Sequence, residues 1–414
     1  MAMKKLFTLL TLFLSICSGA WAIEQDTDGY YLIGSVQDWQ DFAALVQTTP
    51  TANARMTADI DLGDDQTMIG VGSDVTDNYG STNIKFQGVF DGQGYSLNIN
   101  YVATEMFTAP FRYIQNATIK NLHVKGSIST AYRYAAGIVG CCIGQYIDSS
   151  ITNCTSSVHI TSSYVNTGNF YNASFHSGIA GRLHYYGRLH ITECIFDGSI
   201  SGETQNVVWA GMMGFPDGSV YVDKCLTTAT FDCSGIISGS NGSGTFSTSF
   251  SNGYASKVYV TSCYYLNSMG NIQGTQVTDE QLSDGTTATA LQAGRGEEVW
   301  VQDRFTNQPM LKIFANKMSY TVPASGIGTF STATAVTLPE GLRAYYCKNY
   351  DSEAGTIATK EITGTIPANT GVLLRGTAGE TYTITASDET PEAISGNALV
   401  AVTEATHVDQ TNGE

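Results

Sequence analysis

The adjacent carboxylates Asp64 and Asp65 are the first residues in this chain whose types and spacing could do chemistry. Hydrolysis of a glycosidic bond needs two carboxylates at a defined separation. A polysaccharide lyase needs carboxylates that hold calcium, with a Lys or Arg to take the proton beside a uronate. Asp64-Asp65 follow a predicted strand and lack the repeated Asp and Gly-His-Gly companions of pectin hydrolases, so they read as a solvated turn. Asp91 and Asp197 each sit in Phe-Asp-Gly, a placement that predicts turn hydrogen bonding. His184 and His190 flank Tyr185-Tyr186-Gly187-Arg188 without a third ligand nearby in sequence, and no metal site is expected. Glu193, Asp223 and Lys224 alternate with apolar positions and are expected to face solvent. No Gly-x-Ser-x-Gly elbow occurs, and no catalytic residue is assigned.

Aromatic residues are the better candidates for binding. Tyr132, Tyr134, Tyr146, Tyr164, Phe170, Tyr171, Tyr185, Tyr186 and Trp209 fall mainly in the segments between repeated motifs. Exposed rings on a rigid frame stack against sugar rings or peptide side chains, as tyrosines do in antibody paratopes. The alternative is that they fold back and cover the edges of the frame.

The frame itself is legible as two ladders. Ile151-Thr152-Asn153-Cys154, Ile191-Thr192-Glu193-Cys194, Val222-Asp223-Lys224-Cys225 and Val260-Thr261-Ser262-Cys263 repeat one pattern, and Ile119-Lys120-Asn121-Leu122 is an earlier copy. From Leu122 onward the steps are 32, 40, 31 and 38 residues, each the length of one repeat unit. Between them run Gly137-Ile138-Val139-Gly140, Gly178-Ile179-Ala180-Gly181 and Gly211-Met212-Met213-Gly214. With a third short strand such as Val158-His159-Ile160, this predicts an all-β chain wound as a right-handed parallel β-helix. Paired glycines would let neighbouring coils approach closely. Leu122, Cys154, Cys194, Cys225 and Cys263 would stack about 4.8 Å apart as small apolar plugs. The alternative, disulfides among the eight cysteines left after export, stays open.

The first 22 residues read as an export signal, with Lys4 and Lys5, an apolar stretch from Leu6 to Ile16, and Ala20-Trp21-Ala22 before cleavage. Cys17 does not suggest lipidation, because Ile16 stands where that site wants a small residue. After signal removal no transmembrane segment is expected, which points to the cell surface or the medium, with outer-membrane association an open variant. The chain carries 20 basic and 37 acidic residues, a formal charge of −17. That excludes nucleic acid and anionic membranes as natural partners, and polyanionic glycans unless calcium bridges them. No motif calls for a cofactor, and calcium is not indicated by one.

The mature chain then divides into an N-terminal cap and first coils (23–110), repeats (111–276), a C-terminal cover of the helix (277–317) and a β-sandwich (318–414). Val36 to Val46 has one apolar helical face with Ser35 as its cap, suited to closing the open end of a solenoid. The last segment, from Asn397, shows no obvious final strand, so the sandwich reads as truncated.

Phe90-Asp91-Gly92-Gln93-Gly94-Tyr95, followed by Ile119-Lys120-Asn121-Leu122, resembles the first coil of GLUG-motif proteins. The Gly-h-h-Gly and Ile-x-x-Cys ladders resemble the motif itself, although Ile138-Val139 and Met212-Met213 depart from its usual Leu-Val. Thr278 to Trp300 is similar to the stretch that closes such helices, so the likeness covers about residues 30–313. Ile366-Pro367-Ala368-Asn369-Thr370-Gly371-Val372-Leu373-Leu374 resembles a small β-sandwich of surface proteins from gut Bacteroidetes. The resemblance implies a secreted or surface-exposed, adhesin-like protein and supplies no catalytic residues. The expected function is a binding scaffold that recognises glycans or extracellular proteins through loops between coils. A carbohydrate-active β-helix enzyme and a structural spacer are the alternatives. Clustering of Tyr134, Tyr146, Tyr185 and Tyr186 would favour binding, and acids beside Arg182 or Arg188 would favour an enzyme.

Overall fold

The computed structural model describes residues 23–72, 83–144, 146–165, 174–202, 209–233, 257–268, 273–351 and 353–403, and the chain divides into two compact units after Thr278. In the first unit successive coils lay their strands in three main parallel sheets, and four of the coils contribute to all three. Phe111–Ile114, Val139–Ile143, Ala180–His184 and Met213–Pro216 form a short sheet of four strands. The following strands, Thr118–Lys120, Asp148–Thr152, Arg188–Thr192 and Ser219–Asp223, lie in a long sheet of eight that begins at Tyr31–Ile33 and ends at Lys257–Thr261. The third group, including Ser96–Val102, His123–Thr130 and Thr155–Ser162, joins a sheet of ten. Pairing is parallel and in register from coil to coil, which defines a parallel β-helix.

Register stacks like on like. Ile119, Ile151, Ile191 and Val222 form one buried column of the core. At the corner beyond it, Leu122, Cys154, Cys194, Cys225 and Cys263 are all buried, and the four cysteines are free thiols. Cys194, Cys225 and Cys263 Sγ each lie 3.5 Å from the carbonyl of Ile151, Ile191 and Val222 in the coil before. Burial pushes the Cys154 and Cys225 thiols well above the ordinary range.

The residue before each plug turns the corner. Asn121, Asn153, Glu193, Lys224 and Ser262 all have φ between 50° and 56°. Asparagine tolerates this left-handed backbone, and the first two also bond along the column: Asn121 Nδ2 donates to Asp91 (2.9 Å) and Asn153 Nδ2 to Asn121 (2.6 Å). Glu193 occupies the same corner and is 7% exposed, so the expectation that it faces solvent is corrected. The strand alternation that predicted exposure ends one residue before it. At the next glycine ladder, a Cβ on Gly181 would stand 2.7 Å from the Gly140 carbonyl, and one on Gly214 2.6 Å from that of Gly181. The close approach of coils thus requires glycine there.

Helix α1 (Val36–Val46) starts at Ser35, whose Oγ accepts from Asp38 N–H, and buries Trp39, Phe42, Ala43 and Val46. Trp39 meets Phe90 and Phe111 edge-on at 5.8 and 5.9 Å, joining the helix to the solenoid core.

The second unit begins at Asp279 with helices α2 (Asp279–Ser283) and α3 (Thr286–Gln292) and an antiparallel pair, Trp300–Gln302 with Pro309–Leu311. Two antiparallel sheets follow. Lys317–Thr321, Thr381–Ala386 and Val336–Thr337 make one, and Ile327–Phe330, Val372–Arg375, Arg343–Asp351 and Thr356–Ile362 the other. Val322, Leu342, Ile366, Leu374 and Ile384 form their shared core, as in a small β-sandwich. Among the described residues, no helix is long and apolar enough to cross a membrane.

Candidate functional site

The corner that joins the short sheet to the long sheet carries the exposed aromatics. Tyr146 N–H donates to the Tyr186 carbonyl (3.2 Å), which places the two tyrosines in one column; in the shorter corner one coil earlier, between Phe111–Ile114 and Thr118–Lys120, the left-handed residue is Asn116. All three are left-handed, with φ of 51° at Asn116, 57° at Tyr146 and 51° at Tyr186, and Tyr185 follows at 61°. Asparagine suits that backbone, whereas a bulky ring there is an outlier of the kind that collects at functional sites. Tyr146 is nevertheless 68% exposed and Tyr186 38%. Their rings run parallel at 6.3 Å, and Tyr185 stands edge-on to Tyr186 at 5.2 Å.

Charged groups flank the tyrosines on both sides. On the long sheet Arg188 grips Asp148 through Nε and a second nitrogen (Nη2 to Oδ2 3.2 Å), and also reaches the Tyr146 carbonyl (3.3 Å). On the short sheet Arg182 donates to His184 Nδ1 (2.9 Å), with an Asp217 oxygen 3.7 Å from the same nitrogen. Burial raises the Asp217 carboxyl, and the Arg182 charge opposes that shift.

Two residues further along the outer face of the long sheet lies a second aromatic column. His190 stacks on Tyr221 (4.7 Å, 7° between planes) and Tyr221 on Tyr259 (4.9 Å, 11°). The rungs set the spacing, since neighbouring strands lie about 4.7–4.9 Å apart. The inner ring faces are therefore spent on one another, and solvent meets ring edges, phenolic hydroxyls and the two end faces. His190 Nε2 is 4.0 Å from Asp148, which links this column to the ion pair beside it. Sequence reasoning passed over the column, although Val220-Tyr221-Val222 and Val258-Tyr259-Val260 repeat at the same place in their rungs.

The other expected binding residues do not join this site. Tyr134 is buried on the outside of the short sheet, stacked between Phe107 (4.8 Å) and Phe175 (5.4 Å). Trp209 is also buried, its Nε1 donating to Ser174 Oγ (3.0 Å). Both are removed from the candidate surface, because covering the coil gains more apolar burial than display. Tyr132 and Tyr164 are half-buried and follow strands of the ten-stranded sheet, at a different corner. Phe170 and Tyr171 lie outside the described residues.

Of the acids read as turns, Asp65 and Asp91 form them, whereas Asp197 bonds across to the preceding coil. Asp65 Oδ1 accepts from Thr67 N–H (2.6 Å), and Asp91 Oδ1 from Gln93 N–H (3.0 Å). Asp91 also pairs with Lys120 (3.1 Å), while Asp197 accepts from Ser157 Oγ (2.6 Å). Among the described residues no three His, Cys, Asp or Glu side chains gather to hold a metal.

The strand pairing defines the class of protein: a parallel β-helix followed by a small β-sandwich. No family model and no curated protein matches the chain. Among solved structures it is similar to a candidate immunoglobulin A1 protease from Bacteroides ovatus, at 14% identity and a TM-score of 0.46, over 70% of this chain and 94% of that one. A tailspike protein gp49 from the Acinetobacter baumannii bacteriophage Fri1, a capsular polysaccharide depolymerase, aligns at 9% identity and a TM-score of 0.12, over 90% of this chain and 86% of that one. At these scores the assignment of fold rests on the strand pairing alone.

Proposed function

We propose that this chain is an exported, adhesin-like scaffold of the GLUG-motif kind that binds glycans or extracellular proteins at the corner and outer face built around Tyr146 and Tyr186. One observation carries the reading: two tyrosines sit on left-handed backbone and face solvent, at a corner whose left-handed residue in the preceding coil is Asn116. Such rings gain little from packing, so ligand contact is the gain that accounts for them. A bare spacer gives no account of that strain. Export rests on the charged and apolar pattern of residues 1–22.

The test is a glycan and host-glycoprotein array probed with the full exported chain, with and without calcium. Saturable binding that weakens in Tyr146→Asn and Tyr186→Asn supports the reading, and binding that ignores both substitutions overturns it. A second reading, a carbohydrate-active enzyme, draws on Asp217, a carboxyl raised by burial beside Arg182 and His184. Release of reducing or unsaturated sugars from a bound glycan, lost in Asp217→Asn, would establish it in place of the first.

A further inference from the structure

The aromatic column on the long sheet stops at His190 although the strands do not. In register with His190, Tyr221 and Tyr259 stand Ser150 and then Thr118 on the two preceding coils. Ser150 Oγ donates to Thr118 Oγ1 (3.0 Å), so two short hydroxyl side chains floor the place that a ring at position 150 would fill. Among the described residues no ring covers His190 from that side. One wall is therefore an imidazole face, already held parallel to Tyr221 at 4.7 Å. Along one flank lies Asp148, two residues from Ser150 and 4.0 Å from His190 Nε2, together with Arg188 bound to it. Beyond that pair, towards the corner, stands the exposed ring of Tyr146.

We infer that this open rung is a saccharide subsite, in which one pyranose ring of a neutral glycan stacks on His190 over Ser150 and hydrogen-bonds to Asp148 and Arg188. The inference rests on the binding-scaffold reading and specifies its ligand. Neutrality follows from the charges: Arg188 and Asp148 already compensate each other, and the molecule as a whole is acidic at −17. A uronate or sialate would meet that negative field at a rung whose guanidinium is already committed to Asp148. The stacked ring supplies the apolar face, and the paired carboxylate and guanidinium supply acceptors and donors for ring hydroxyls.

The experiment compares the full chain with Ser150→Tyr, which extends the column by one ring into the proposed place. Tyrosine suits an outer strand position and an aromatic cross-strand neighbour, so this variant is expected to melt no lower than the parent. Thr161→Tyr, on the exposed face of the ten-stranded sheet, is the control for adding a ring elsewhere. Each is titrated against a printed set of neutral oligosaccharides, matched uronate and sialylated oligosaccharides, and a deglycosylated extracellular-matrix protein. Binding of neutral saccharides that is about tenfold weaker in Ser150→Tyr, and unchanged in Thr161→Tyr, is the expected result. Equal affinity of Ser150→Tyr and the parent overturns the subsite, as does a preference for the acidic saccharides. Should Ser150→Tyr fail to fold, His190→Ala removes the stacking face and must weaken the same saccharides. Binding of the deglycosylated protein alone sinks the subsite while the scaffold reading survives. Binding to none of the probes sinks both.

Discussion

Tyr146 and Tyr186 hold a backbone conformation that costs about 1–2 kcal/mol for an ordinary L-residue and less for asparagine. Replacing either by the residue found at Asn116 is therefore expected to raise stability by about 1 kcal/mol, a gain of roughly 2 °C for a unit the size of the β-helix. The same replacements are expected to weaken ligand binding. A melting temperature that falls would show that the rings repay their strain through packing. Two histidines, His176 buried and His123 half-buried, add a pH dependence. Burial lowers His176 to about 3 and His123 to about 4, from an ordinary 6.5. Unfolded histidine then binds protons that the native state refuses, so the stability these groups leave intact above pH 6.5 declines as pH falls towards 4. Urea midpoints measured between pH 7 and 4.5 should fall, and less steeply in His176→Asn. At the alkaline end the sign reverses for Cys142, pushed up to about 12 by burial: stability declines above pH 9, where the unfolded thiol ionises first. Much at this scale was readable beforehand. The cysteine ladder announced itself because one residue type recurs in a buried slot. The left-handed corner did not, since Asn121, Asn153, Glu193, Lys224 and Ser262 share a backbone conformation and no side-chain chemistry. Tyr134 misled because a short segment beside a strand looks the same whether it is displayed or folded back.

Uneven repeat lengths left the strand elements intact, for a reason visible in the connections. The ten-stranded sheet hands the chain to a paired strand ahead of the short sheet through segments of unequal length, from Thr130 to Tyr134 in one coil and from Ser162 to Phe175 in the next. Extra residues are taken up there, and register is restored before the next Gly-h-h-Gly strand. The glycines that follow have no such tolerance. Gly181→Val would drive its side chain at the Gly140 carbonyl, which is backbone and cannot step aside. A loss of about 1–3 kcal/mol is expected, read from the shift in denaturant midpoint. A wild-type midpoint in that variant would mean that the coils separate more easily than their spacing implies. The three-sheet wrap was legible as a period. The outer aromatic column required knowing which rungs pair, and only the register shows that His190, Tyr221 and Tyr259 coincide.

At the scale of the molecule, charge decides which partners are admitted. With 37 acidic against 20 basic residues, the chain should bind neither heparin nor polygalacturonate in a chelating buffer. Retention on either column at physiological salt without calcium would contradict that expectation. The fold also has a metric property. Every coil advances the axis by about 4.8 Å and returns to an equivalent corner, so distance along the molecule is counted in whole turns of chain. Cutting out residues 155–194 would join the plug Cys154 to Ile195, the residue that already follows the equivalent plug Cys194. The shortened chain would set Ser150 against Tyr221 and Tyr146 beside Asp217, with every later coil moved one step closer. Such a molecule works as a gauge: its reach can be lengthened or shortened by editing units of sequence, while the chemistry at each mark stays where its own coil put it.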